Sequence, residues 1–224
     1  MRNLSEEQLS SLNRPRMKYS LPARLFFLSM DIFTGKKTTL AKAKLIETLA
    51  SIPYREWELR KYFFLTRRYT NPDSVRKAMK IMTWSRNAQD NEYWHLLVLH
   101  EKMREDTLAD PWYLAAPIRL SMALAYIIFA RVLSFISLKH AYYFNAQFED
   151  HAEHVYAAFL RDNPQLNTQP VTSALVKEYA DLPTWGDIIR RIGLDERDHR
   201  NNSLRACGRN GQVAEYPGMP ASEV

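Results

Sequence analysis

The chain has 224 residues, 46% of them hydrophobic and 12% aromatic, which is too apolar for intrinsic disorder and enough for one domain with a sizeable core. Its net charge is +6, and its single cysteine, Cys207, excludes an intrachain disulfide framework and a cysteine-based zinc site. Only six glycines, with eleven prolines mostly between helical stretches, favour an all-α fold over a sheet protein.

In chain order, residues 1–20 read as a flexible polar N-terminal arm. Glu6, Glu7 and the lack of a hydrophobic run there argue against a signal or transit peptide. Residues 21–33 (LPARLFFLSMDIF) are a short, very apolar helix candidate. A long helical pattern covers 38–69, with Pro53 expected to kink it. Asn71-Pro72-Asp73-Ser74 is a break followed by an N-cap, and the next helix runs to about residue 103.

Residues 111–138 are the most apolar stretch. Arg119 and Arg131 interrupt it, and the uncharged run from Leu120 to Ala130 is about eleven residues, short of the roughly twenty that span a bilayer. The expectation is a helix lying in or against a membrane, or packed in a dimer interface, and not a span. A fifth helix is expected over 139–160 and a minor one over 171–179. Thr184 with Asp187 three residues on resembles a capping box opening the last helix, through about Cys207. Residues 208–224 read as a flexible tail, which leaves 21–207 as the folded domain.

Basic residues cluster at 14–18, Lys36-Lys37, Lys42-Lys44 and Arg67-Arg68. No nucleic-acid recognition motif accompanies them, so no nucleic-acid partner is expected. Their neighbours, Leu25-Phe26-Phe27-Leu28 and Tyr62-Phe63-Phe64, are apolar. Basic residues beside apolar patches suit an anionic membrane surface.

Two Glu-x-x-His quartets, Glu92 to His95 and Glu196 to His199, lie about a hundred residues apart, and Glu47 and Glu149 alternate with them. Residues three apart on a helix share a face, so each quartet projects a carboxylate and an imidazole together. One such quartet is common on helix surfaces as a solvated pair. Two, interleaved with glutamates on separate helices, follow the ligand plan of di-iron or di-manganese carboxylate four-helix bundles. Four ionised carboxylates buried together would repel and suffer desolvation, and two divalent cations would cancel their charge. Oxygen and nitrogen donors without a thiolate suit iron or manganese. Tyr156 lies seven residues after Glu149, two helical turns along the same face.

These residues resemble the alternative oxidases, the di-iron quinol oxidases that include the plastid terminal oxidase. Ile46-Glu47-Thr48-Leu49-Ala50 before Pro53 looks like the family's Leu-Glu-Thr motif, and Asn91-Glu92-Tyr93-Trp94-His95-Leu96 looks like its Asn-Glu-Arg-Met-His-Leu motif. The stretch from Phe148 to Tyr156 is similar to the Leu-Glu-Glu-Glu-Ala segment, and that from Asp195 to Arg200 to the Ala-Asp-Glu-Ala-His-His-Arg motif. The order and approximate spacing hold from about residue 21 to 203.

The resemblance implies a ferritin-like di-iron four-helix bundle with additional short helices and an interfacial attachment to a membrane. It implies two iron ions on Glu47, Glu92, His95, Glu149, Glu196 and His199, and a redox-active Tyr156. Asn91, His154 and Asp195 fall on positions that orient the ligands. It further implies ubiquinol and O2 as substrates, no proton pumping and a homodimer. The expected location is the cytoplasmic face of a bacterial inner membrane.

The chain departs from the family at His151, Val155, Asp198 and Ala180, and Lys42 stands where a quinol-pocket arginine is expected, making Lys42 a candidate substrate contact. These changes fall on the substrate side. They motivate a second reading, a di-iron oxygenase or desaturase acting on a lipid or small metabolite. A third is a non-catalytic membrane-interface protein with a vestigial site.

Overall fold

The computed structural model describes residues 3–224, which are all-helical, with no strand and one isolated β-bridge between Pro170 and Thr184. The helices in order are α1 (Leu4–Asn13), α2 (Leu21–Thr34), α3 (Leu40–Arg68), α4 (Pro72–Glu105), α5 (Ala116–Ile136), α6 (Leu138–Asp162), α7 (Ala174–Tyr179) and α8 (Trp185–Ala206).

Local chemistry sets several of the starts. The backbone N–H of Lys42 donates to the Thr39 hydroxyl at 3.1 Å, that of Ser74 to the Asn71 side chain at 2.9 Å, and that of Asp187 to the Thr184 hydroxyl at 3.1 Å. Each satisfies an N–H that has no partner within its helix. α3 continues unbroken through Pro53, the residue expected to kink it, with Ile52, Tyr54 and Trp57 buried around the missing hydrogen bond.

The two longest helices, α3 and α4, pair along their length, and α6 pairs with α8. Val98 and Leu99 of α4 meet Ile188 and Ile192 of α8 and Leu160 of α6. Leu45 and Leu49 of α3 meet Tyr126 of α5 and Phe144 and Phe148 of α6. Trp57 and Trp84 stack at 5.2 Å with Tyr54 and Tyr142 around them, tying α3, α4 and α6 together. Each such side chain contributes about 1.5–3 kcal/mol by leaving water.

The N-terminal residues do not form the loose arm expected of them. α1 docks on α6 and α8, where Arg197 bonds Glu7, and the Ser11 hydroxyl donates to Glu153 at 2.6 Å. Farther on, Met17 N–H donates to Asp150 at 2.9 Å and the Ser20 hydroxyl to Gln147 at 2.7 Å. This segment is polar because its partners are buried charges. The C-terminal segment docks in the same manner: Asn201 exchanges two hydrogen bonds with the Ala214 backbone, at 2.9 and 3.0 Å, and Tyr216 is buried.

α5 is the one helix among the described residues long and apolar enough to cross a membrane, by length and composition only, and just 17% of its most apolar stretch is buried. Its uncharged run does end at Arg131, but the helix itself continues to Ile136 and is about 30 Å long. Its inner side packs on α3 and α6, and Arg131 is tied to Glu56 of α3 at 2.9 Å.

Candidate metal centre

Four helices deliver the six expected ligands to one interior space: Glu47 from α3, Glu92 and His95 from α4, Glu149 from α6, and Glu196 and His199 from α8. All six side chains are buried, His199 least so at 7% exposure. Glu47, Glu92, His95 and Glu196 form one group that could hold a metal ion; Glu92, Glu149, Glu196 and His199 form a second. Within each group one ligand atom per residue lies within 4.8 Å of all the others.

Glu92 and Glu196 belong to both groups and are oriented accordingly. Glu92 turns one oxygen to His95 Nδ1 at 3.4 Å and the other to His199 Nδ1 at 2.8 Å. Glu196 turns one oxygen to His95 Nδ1 at 3.1 Å and the other to His199 Nδ1 at 3.9 Å. Both carboxylates therefore lie across the space between the two imidazoles.

The donor atoms fit a cation. Both oxygens of Glu92 and of Glu196, one oxygen each of Glu47 and Glu149, and Nδ1 of both histidines are buried and make no well-directed hydrogen bond, although Glu92 lies 2.8 Å from His199 Nδ1 and Glu196 3.1 Å from His95 Nδ1. Buried polar groups in proteins are normally paired, so converging acceptors whose nearest neighbours are one another call for a positive partner. Oxygen and imidazole donors without sulfur match iron or manganese better than soft metals.

Without a cation the cluster would balance itself with protons. Burial, reinforced by Glu92, raises the Glu47 carboxyl to about 8. Burial, with Glu92 and Glu47, raises Glu196 to about 8 as well. Burial and the neighbouring Glu196 and Glu92 charges push Glu149 well above the usual range. Burial also acts on Glu92, but the adjacent His199 and His95 outweigh it and hold that carboxyl low. Burial disfavours the charged His199, yet Glu92 and Glu149 raise it overall; His95 is raised likewise, by Tyr179 and its glutamate neighbours.

A polar shell holds these ligands. The Tyr156 hydroxyl donates to Glu47. Glu149 accepts from the Tyr54 hydroxyl at 2.8 Å and from Asn145 at 2.9 Å. Asp195 lies 3.3 Å from His95 Nε2 and accepts from the Tyr179 hydroxyl at 2.6 Å and from Asn91 at 3.4 Å. A carboxylate behind a ligating imidazole fixes its ring orientation and tautomer. Beside His199, a cavity of about 230 Å³ is lined by polar side chains that include Asn91, Asp195 and Asn202.

Tyr156 and Asp195 border the cluster directly and Asn91 reaches it only through Asp195, whereas two other candidates lie away from it. His154 faces away from the cluster, with its ring nitrogens 2.6 Å from the Asp150 carbonyl and 3.0 Å from the Arg14 carbonyl. It sits five residues after Glu149, off that residue's face. Lys42 is clamped by Asp31 at 2.5 Å and the Gly35 carbonyl at 2.7 Å, on the wall of a cavity of only about 10 Å³ shared with Phe27 and His151. Tyr54, Asn145 and Tyr179 escaped the sequence reading. Asn145 carried a usable signal, since it precedes Glu149 by four residues on one helix face.

The fold and site together define an all-helical protein with a buried carboxylate–histidine cluster able to bind metal. Comparison with protein-family models, with curated proteins and with solved structures gives no match.

Proposed function

We propose that this chain is a di-iron quinol oxidase of the alternative-oxidase kind, a ferritin-like four-helix bundle attached to a membrane surface. Two ubiquinols would give four electrons and four protons to one O2, yielding two quinones and two waters. The observation that carries this reading is the sharing of Glu92 and Glu196 between two ligand groups, each completed by one glutamate and one histidine of its own. That matches the ligand plan by which a four-helix bundle would hold a metal pair.

Bound at this site, two iron ions would supply the redox electrons and open coordination positions that O2 reduction requires. The protein's share is positioning and proton control. Asp195 orients His95, while Tyr54 and Asn145 fix Glu149. The Tyr156 hydroxyl, hydrogen-bonded to Glu47, holds a proton and a potential reducing equivalent against the cluster. Burial and the Glu47 charge raise its pKa well above the ordinary value, so the phenol stays protonated until it is called on.

The test is anaerobic reconstitution with ferrous iron, followed by metal analysis and an oxygen-electrode assay with ubiquinol-1. Two irons per chain, and two quinones formed per O2 consumed, are expected. Oxygen uptake without matching quinone would favour the oxygenase or desaturase reading, which the tight Lys42–Asp31 clamp supports by leaving little room for a quinone ring beside Lys42. No bound iron would favour the vestigial site.

A further inference from the structure

The C-terminal half of α3 and the end of α5 enclose an open groove of about 800 Å³, none of whose lining residues belongs to the carboxylate cluster. Its lining is of two kinds. Phe63, Phe64 and Phe135 supply an aromatic surface, with Phe63 57% and Phe135 83% exposed. Around them stand Arg60, Arg67, Arg68 and Arg131.

The only carboxylate in the lining is Glu56, and Arg131 already grips both of its oxygens at 2.9 Å. Arg60 donates to the Ser134 carbonyl, and the Arg68 guanidinium lies 5.3 Å over the Phe64 ring. Four arginines against one glutamate leave the groove strongly positive, with Arg67 and Arg68 adjacent at its rim. Clustered guanidinium groups repel one another, and an anion relieves that repulsion; Arg is the side chain best shaped to grip phosphate oxygens. A bare phosphate would leave the phenyl surface wet, whereas an acyl chain would cover it. The groove also adjoins the exposed apolar stripe of α5, which includes Ile128 and Val132.

The geometry points to a binding site for one acidic phospholipid, its phosphate held by Arg67 and Arg68 and an acyl chain laid along Phe63, Phe64 and Phe135. This rests on the proposed membrane attachment only for the lipid's source and narrows that partner to an anionic headgroup at one address.

A short-chain lipid in solution separates this proposal from membrane attachment in general. The full chain in neutral detergent is titrated with dioctanoyl phosphatidylglycerol, dioctanoyl phosphatidylcholine or inorganic phosphate, and bound lipid is counted by native mass spectrometry. One phosphatidylglycerol per chain is expected, at roughly tenfold higher affinity than phosphatidylcholine, since the choline ammonium offsets the phosphate charge of the latter and each basic side chain near a net anionic headgroup contributes a several-fold factor. The preference should vanish in Arg67→Gln/Arg68→Gln, both exposed and without an ion pair among the described residues, and survive in Lys36→Gln/Lys37→Gln. Equal affinity for the two lipids, a preference that survives in the arginine variant, phosphate binding as tight as lipid, or a second copy of the chain displacing the lipid would each overturn it.

Discussion

Glu92 turns one oxygen toward each of two histidines, so its removal differs in kind from removal of Glu47, which belongs to one group alone. Glu92→Gln keeps the volume and removes the shared anionic ligand; metal content by mass spectrometry should fall from two ions per chain to near none. Glu47→Gln should leave about one. Equal losses in the two variants would mean that the groups do not act as a bridged pair. Tyr156→Phe deletes the phenol that donates to Glu47 while keeping the ring in its core. Iron content should persist, while oxygen uptake with quinol should drop roughly a hundredfold, the scale of losing a positioned proton donor. Unchanged turnover would remove Tyr156 from the reaction.

The same residues fix a pH signature for the metal-free chain. Glu47 and Glu196 titrate near 8 when folded and near 4.5 when unfolded, so between these values the folded state holds protons that the unfolded chain has released. The stability these two carboxyls contribute is therefore full below about pH 4.5 and declines as pH rises toward 8. His95 and His199, also raised, add stability that is present below about 6.5 and lost above it. Glu92 has the opposite sign, but its low value places its loss in strong acid. The metal-free melting temperature should fall between pH 5 and 8 at constant salt. Bound manganese should flatten or reverse that slope, because the cation replaces the protons. Parallel slopes with and without metal would contradict this assignment of the charges.

At the scale of elements, α8 is the telling helix. It is polar on average, yet Asp195, Glu196, Arg197, His199, Arg200 and Asn201 are all buried, because each of its faces meets a partner. Glu196 and His199 face the cluster, Arg197 meets Glu153 at 2.8 Å together with Glu7 of α1, and Arg200 meets Asp150 at 2.9 Å. Arg197→Ala would leave Glu153 with Arg14 and Ser11 as its remaining partners and remove the link to Glu7, and should cost about 1–3 kcal/mol by chemical denaturation, the scale for losing a buried charged hydrogen bond. A cost below about 1 kcal/mol would mean that α1 does not depend on this pair. Gly186, at the start of α8, is a second sensitive point: a Cβ there would lie 2.6 Å from the Asn167 side chain and 3.0 Å from its Cα. Gly186→Ala should cost about 1–3 kcal/mol through overpacking.

These contacts show what the sequence could and could not carry. The six clustered side chains were legible because helical spacing fixes which residues share a face, and two quartets alternating with two glutamates form a pattern that chance rarely produces. Helix starts near Asn71 and at Thr184 were legible through their caps, whereas the cap at Thr39 was not read. The docking of α1 and of the C-terminal segment was not, since a polar stretch looks the same whether it faces water or a buried arginine. His154 was placed by motif alone, and its position five residues from Glu149 turns it to another face. The shell around Glu149 spans α3 and α6, a pairing that no local pattern encodes.

Over the whole molecule, the uncovered apolar residues form stripes. On α2, Leu21, Leu25, Leu28 and Ile32 are 55–73% exposed and recur every three or four residues along one face; on α5, Leu120, Leu124, Ile128, Val132 and Phe135, 52–83% exposed, recur in the same way. The two helices meet on their inner sides through Phe26 and Tyr126, whose rings are 5.2 Å apart, so the stripes lie on neighbouring helices. Water-soluble monomers seldom leave an apolar surface this continuous uncovered. Against a bilayer, each of these side chains would gain about 1–2 kcal/mol by leaving water. Leu124→Glu/Ile128→Glu should therefore weaken co-sedimentation with neutral phosphatidylcholine vesicles by tenfold or more, with helicity unchanged because both positions point outward. Neutral vesicles carry no net charge for Arg67 and Arg68 to grip, so this experiment isolates the stripes from the arginine groove. Vesicle binding that survives the double substitution would move the attachment elsewhere. A variant that instead loses self-association in sedimentation equilibrium would assign the stripes to contact with a second copy of the chain.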